Sequence, residues 1–170
     1  MTWEPGRNDS QAGAVECVVG GHQVPEPVWD LSALPVPDYA DHFALTTDPT
    51  AAPERWARAM FGDEPDLAAR FIRRGLLGLR LSRGASADNV AGWRIAARGE
   101  DRIRLEAASW FLDGVLVVRA PEGDVSLSTF LHYRRRPGRA IRPPLSAVHR
   151  RLAPGLLRTA EAHIRASRVA

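Results

Sequence analysis

The 170-residue sequence predicts an α+β domain. Three observations carry that reading: four runs between Trp93 and Arg136 with strand-like alternation or β-branched cores, a capped helix signature at residues 48–62, and one apolar stripe from Leu145 to Ile164. The chain is long enough for one domain with a real core, and a second core would be unusually small. With 45% hydrophobic and 25% charged residues it has the balance of a globular protein.

Residues 1–13 are polar, with Gly, Asn, Asp and Ser, and read as a loose terminus. Prolines recur through "VPEPVWDLSALPVP" at 24–37, removing donors and favouring extended chain, so this stretch reads as an arm pinned by Trp29 and Leu31. Residues 1–37 are therefore set apart as a flexible or irregular arm, and 38–170 as the domain.

Residues 38–47, "DYADHFALTT", end in apolar alternation at Phe43 and Leu45 and predict a first strand. Residues 48–62 offer an Asp or Thr cap, an early proline and a closing glycine, which together predict a helix. After Pro65, Leu67, Phe71 and Leu76 or Leu77 fall near helical spacing and predict a second helix, weakened by Gly75 and Gly78. "WRIAARG", "DRIRLEAASWF", "GVLVVRAPEG" and "DVSLSTFLHYRRR" then predict an antiparallel meander. In the last of these, Val125, Leu127, Thr129, Leu131 and Tyr133 form the more apolar set and are expected to be buried, opposite Ser126, Ser128, Phe130, His132 and Arg134. The final segment places Leu145, Val148, Leu152, Leu156, Ala160 and Ile164 on one stripe of a long helix, which Pro154 is expected to kink or split.

The formal net charge is only +3, and every basic residue is arginine, so the pI of 9.9 overstates the field at pH 7. A chain with no lysine has the composition of a GC-rich genome and excludes Schiff-base lysine chemistry. The lone Cys17 cannot form an internal disulfide, no base is nominated beside it, and it reads as a passive thiol. With no secretory leader pattern and every apolar stretch interrupted by arginine, the expectation is a cytoplasmic protein with no transmembrane segment.

The order of strand, two short helices, meander and long C-terminal helix is that of the helix-grip fold, in which a curved antiparallel sheet wraps around one long helix. Sharper signals lie in "VSLSTFLHYRRRPGRAIRPPLSAVHRRLAPGLLRTA", with its threonine-containing last strand, Gly-Arg turn, proline-containing helix start and the pair His149 and Arg150, and upstream in "RFIRRGLLGL". From about Asp38 to Ala166 these stretches resemble a bacterial family within the START and polyketide-cyclase (SRPBCC) superfamily. The resemblance implies a cavity between sheet and C-terminal helix that holds an apolar or aromatic small molecule. It implies no reaction, since the superfamily spans carriers, receptors and enzymes.

The arginine-dense run from His132 to Arg151 contains Tyr133 as its only aromatic and divides between a strand end, a turn and a helix start. Nucleic-acid binding wants a contiguous basic stripe with stacking rings, so the run argues against that partner and reads first as a solvated face. There is no zinc-ligand spacing, phosphate loop or nucleophile elbow, and no metal or cofactor is expected.

Trp93, Trp110, Phe130 and Tyr133 are candidate rings for sandwiching a flat ligand, with Arg119, Thr129, Val148 and Leu152 beside them, although plain core packing explains each ring taken singly. His149, His132 and Asp113 are the candidate catalytic groups. A histidine in an apolar pocket exchanges protons near neutral pH, and Arg119 or Tyr133 would hold an oxygen charge. A helix-to-strand hydrogen bond by His149, surface exposure of His132 and a turn role for Asp113 are the plain structural readings. The expected function is binding of a small lipophilic or aromatic molecule of polyketide or lipid type. The alternatives are a cofactor-independent cyclase, aromatase or dehydratase, and an interaction module docking through its arginine face. An exposed edge strand would also allow a homodimer.

Overall fold

A computed structural model describes residues 15–19, 29–34, 37–62, 78–82, 86–135 and 137–169, with the side chains of 15–19, 137–146, 148–150 and 169 outside the description. The expected loose terminus and the second helix after Pro65 lie outside the described residues. The strands are β1 (Val15–Val19), β2 (Tyr39–Thr46), β3 (Asn89–Val90), β4 (Trp93–Arg98), β5 (Arg102–Ala108), β6 (Leu112–Arg119) and β7 (Asp124–Tyr133). They form an open antiparallel sheet in the order β1-β2-β7-β6-β5-β4-β3. Among the described residues two helices, α1 (Pro53–Phe61) and α2 (Pro137–Val169), complete an α+β domain.

The chain leaves β2 at its Thr46 end, passes through α1 to the far edge, and returns strand by strand until β7 lands beside β2. Short turns permit this. The β3–β4 hairpin turns on Ala91 and Gly92 at φ 50° and 84°, the two positive values that a two-residue hairpin turn requires. Only glycine fits at 92, because a Cβ there would stand 2.8 Å from the Ser82 carbonyl oxygen.

Antiparallel register arranges the inner face in rows. Ile103, Val118, Leu127 and Phe43 make one row; Ile95, Leu105, Leu116, Thr129 and Asp41 the next; Ala107, Gly114, Leu131 and Tyr39 the third. Trp56, Ala57 and Met60 of α1 and Ala153, Leu157, Ala160 and Ile164 of α2 join these residues in the main core. The α2 helix begins beyond the Tyr133 end of the sheet and reaches the opposite end, where Thr47 donates to Glu161 Oε1 at 2.8 Å and Arg168 donates to the Thr50 carbonyl at 2.8 Å.

The α1 helix starts at Pro53 behind Ala52, which offers no side-chain cap, so it begins later than the Asp or Thr cap suggested. Pro154 does not split α2, which runs unbroken from Pro137 to Val169. One lost hydrogen bond is offset there by burial of Ala153 and Leu157 on either side. The buried stripe is also turned: Ala153 and Leu157 face the core, Leu156 is half-buried, and Leu152 is 50% exposed. Small Ala153 and Ala160 let α2 lie close to its neighbours.

Val15–Val19, inside the segment read as an arm, forms strand β1 on the edge of β2. Further along, Trp29, Leu31 and Leu34, around a 3₁₀ turn at Asp30–Ser32, cover a second cluster of Ala40, Val115, Val117 and Phe130 on the outer face. Trp29 meets Phe130 at a ring distance of 5.7 Å. Among the described residues no helix is long and apolar enough to cross a membrane.

Candidate functional site

The most polar part of the otherwise apolar inner face lies at the Tyr39 end of β2. Strand alternation puts Tyr39 and Asp41 in phase with Phe43 and Leu45, so a carboxylate is carried into the core, where Asp41 is 0% exposed. The Tyr39 hydroxyl donates to Asp41 Oδ2 at 2.6 Å, which offsets part of the cost of burying that oxygen. Directly across the β2–β7 ladder stands Thr129, 4% exposed, whose hydroxyl has no partner among the described residues. Tyr133 follows on the same face of β7 and is also buried.

Trp93 occupies the same face of β4. Its ring lies over Gly114, where a Cβ would come within 3.2 Å of the indole, so glycine is what permits the close approach. The indole Nε1 is buried without a partner among the described residues, and Trp93 as a whole is 4% exposed. Trp93 and Thr129 belong to strands three spacings apart, about 14 Å across the sheet, and the Trp93 ring spans part of that gap by lying over Gly114. Leu105 and Leu116 provide an apolar floor between them. One donor, one hydroxyl and one held carboxylate around such a floor can orient a flat apolar molecule by its polar atoms.

The other sequence candidates scatter. Phe130, Asp113, His132 and Arg119 all belong to the outer face. His132 and Asp113 are cross-strand partners there, but Arg134 takes both Asp113 carboxylate oxygens at 2.5 Å, and His132 Nδ1 lies 3.3 Å from Asp38 Oδ2. Asp113 is thus a strand residue rather than a turn residue. Arg119 is held by Asp101 at 2.6 Å, which lowers the Asp101 pKa chiefly through that hydrogen bond. Trp110 lies in the turn between β5 and β6 and is 57% exposed, away from the inner face, as is Leu152. Val148 and His149 lie on α2 with side chains outside the described residues.

Tyr39 and Asp41 escaped the sequence reading. The signal was available: extending the Phe43 and Leu45 alternation back by four residues reaches both.

On the outer face a cavity of about 440 Å³ opens between the turn at Ser32 and Leu34 and strands β4–β6, lined by Arg80, Arg94, Glu106 and Asp113 among others. It is on the opposite side of the sheet from the space expected beneath α2. Its lining is mixed in charge, and Arg94 is paired with Glu106.

His42, also on the outer face, shares its Nδ1 with the Ser128 hydroxyl at 2.8 Å. Burial lowers its pKa below 6.5, with Asp41 opposing the shift and Arg119 adding to it. Around and below pH 6.5 the unfolded chain therefore binds more protons at this residue than the folded one does, so His42 makes stability fall as pH drops from 7 through its folded pKa. Urea midpoints measured from neutral to mildly acidic pH are expected to fall more steeply for the wild type than for His42→Gln. Identical slopes would contradict the assignment.

No family model, curated protein or solved structure matches the chain.

Proposed function

We propose that the chain binds a small lipophilic or aromatic molecule, of polyketide or lipid type, between the inner sheet face and α2 in a helix-grip arrangement of the START and SRPBCC kind. The long helix following the last strand of an open antiparallel sheet supports the architecture. The observation that carries the function is the pair of buried polar groups without a partner among the described residues, Trp93 Nε1 and the Thr129 hydroxyl, at two sides of an apolar floor. A buried group without a partner costs about 1–3 kcal/mol, and ligand oxygens would remove that cost.

A catalytic reading has one specific support. Asp41, held by Tyr39 and facing Thr129 across the ladder, is a carboxylate placed where it could exchange a proton with such a ligand. Acid–base work would then fall to Asp41 rather than to His132.

Native mass spectrometry of the protein purified from its own host tests the binding reading. The expected result is a native mass exceeding the denatured mass by that of a small organic molecule. An empty protein that also fails to take up Nile red would count against it.

A further inference from the structure

Trp110 is the most exposed large apolar residue among those described, at the tip of the turn between β5 and β6. Its ring is braced rather than loose: Phe111 meets it edge-on at 5.1 Å, and the Arg135 guanidinium stands 5.7 Å from the ring centre. An indole fixed in water has a ready use at a boundary where one side is apolar and the other wet.

Asp113, paired with Arg134, and Asp38, beside His132, lie at this end of the sheet, but the chain from Asp124 onward is dominated by arginine. No Asp or Glu occurs between Asp124 and Glu161, while that stretch carries eight arginines. Asp113 neutralises Arg134, but Arg135 makes no ion pair among the described residues. Arg139 and Arg142 fall in the first two turns of α2, which begins two residues after Arg135 and has no acidic residue in its first turn.

We propose that this end of the sheet, the Trp110 turn with Arg135 and the start of α2, docks on an anionic lipid bilayer. The indole enters the headgroup boundary and Arg135 beside it meets lipid phosphates, within a stretch of chain whose formal charge is positive. A lone indole offers no stacking series for single-stranded nucleic acid, which wants successive rings. The proposal does not require the interior ligand site, so the two can fail separately.

Co-sedimentation of the full chain with vesicles tests it. Binding is expected to phosphatidylcholine vesicles doped with phosphatidylglycerol and not to phosphatidylcholine alone, and should weaken as salt is raised. Trp110→Ser is expected to weaken binding about tenfold, through lost apolar burial at the interface. Arg135→Glu is expected to weaken it by at least about fivefold, from the charge it removes and reverses. Thr129→Val should bind vesicles like the wild type. Both docking substitutions are at exposed positions, and matching thermal unfolding curves would establish that losses are not unfolding; if Trp110→Ser fails to fold, Arg135→Glu carries the test. Absent binding to the doped vesicles, equal binding by wild type and variants, or binding instead to poly-glutamate or single-stranded RNA would overturn the proposal.

Discussion

Replacing Trp56 with alanine is expected to lower the unfolding free energy by about 3–5 kcal/mol. Trp56 is 1% exposed and belongs to the core cluster that α1 and α2 share with the inner sheet face. Its removal takes away the largest apolar surface that α1 contributes and leaves a void that Ala57 and Met60 cannot fill. Domains of this size are held by about 5–15 kcal/mol in total, so the loss is roughly a fifth or more of the whole. A denaturant titration reads it directly. Trp110→Ala, the same change of residue at an exposed turn, should stay within about 0.5 kcal/mol of the wild type. A Trp56→Ala protein as stable as Trp110→Ala would contradict the packing described.

Thr129→Val is expected to act with opposite signs on stability and on binding. The two side chains have nearly the same shape, and the Thr129 hydroxyl is buried with no partner among the described residues. Removing it should stabilise the ligand-free protein by about 1 kcal/mol, because the desolvation cost of an unpaired hydroxyl disappears. The ligand in turn loses a hydrogen bond, which should weaken its binding about tenfold. A group kept at a cost to the empty fold and repaid on binding is the signature of a functional position. Removal of a hydroxyl that merely served the fold would lower stability and leave binding unchanged.

How much of this was legible in the sequence varied by element. The alternation in β7 identified Val125, Leu127, Thr129, Leu131 and Tyr133 as the core face, and all are buried. It did not anticipate that Ser128 and Phe130 on the other face would be buried too, because that depends on His42 of β2 and on Trp29 arriving from a distant segment. The α2 helix was readable, but its alanine- and leucine-rich middle offers two stripes about 100° apart. Packing against the core selected Ala153 and Leu157 over Leu152. Strand β1 is short and flanked by arm-like sequence, and only its pairing with β2 gives it a place. Trp110 sits beside a strong strand pattern, yet the turn linking β5 to β6 takes it out of the sheet. A charged residue near a strand start ordinarily faces solvent, whereas the phase of Asp41 with Phe43 places it in the core.

The central claim is that the inner face holds polar groups for a ligand rather than for the fold. Its most direct test is a paired measurement on wild type and Thr129→Val, both stripped of any co-purified molecule: unfolding free energy by urea titration, and affinity for Nile red, a flat polycyclic probe with a carbonyl oxygen. The account predicts a variant that is more stable and binds the probe more weakly. A variant that is less stable and binds the probe as tightly as the wild type would contradict it.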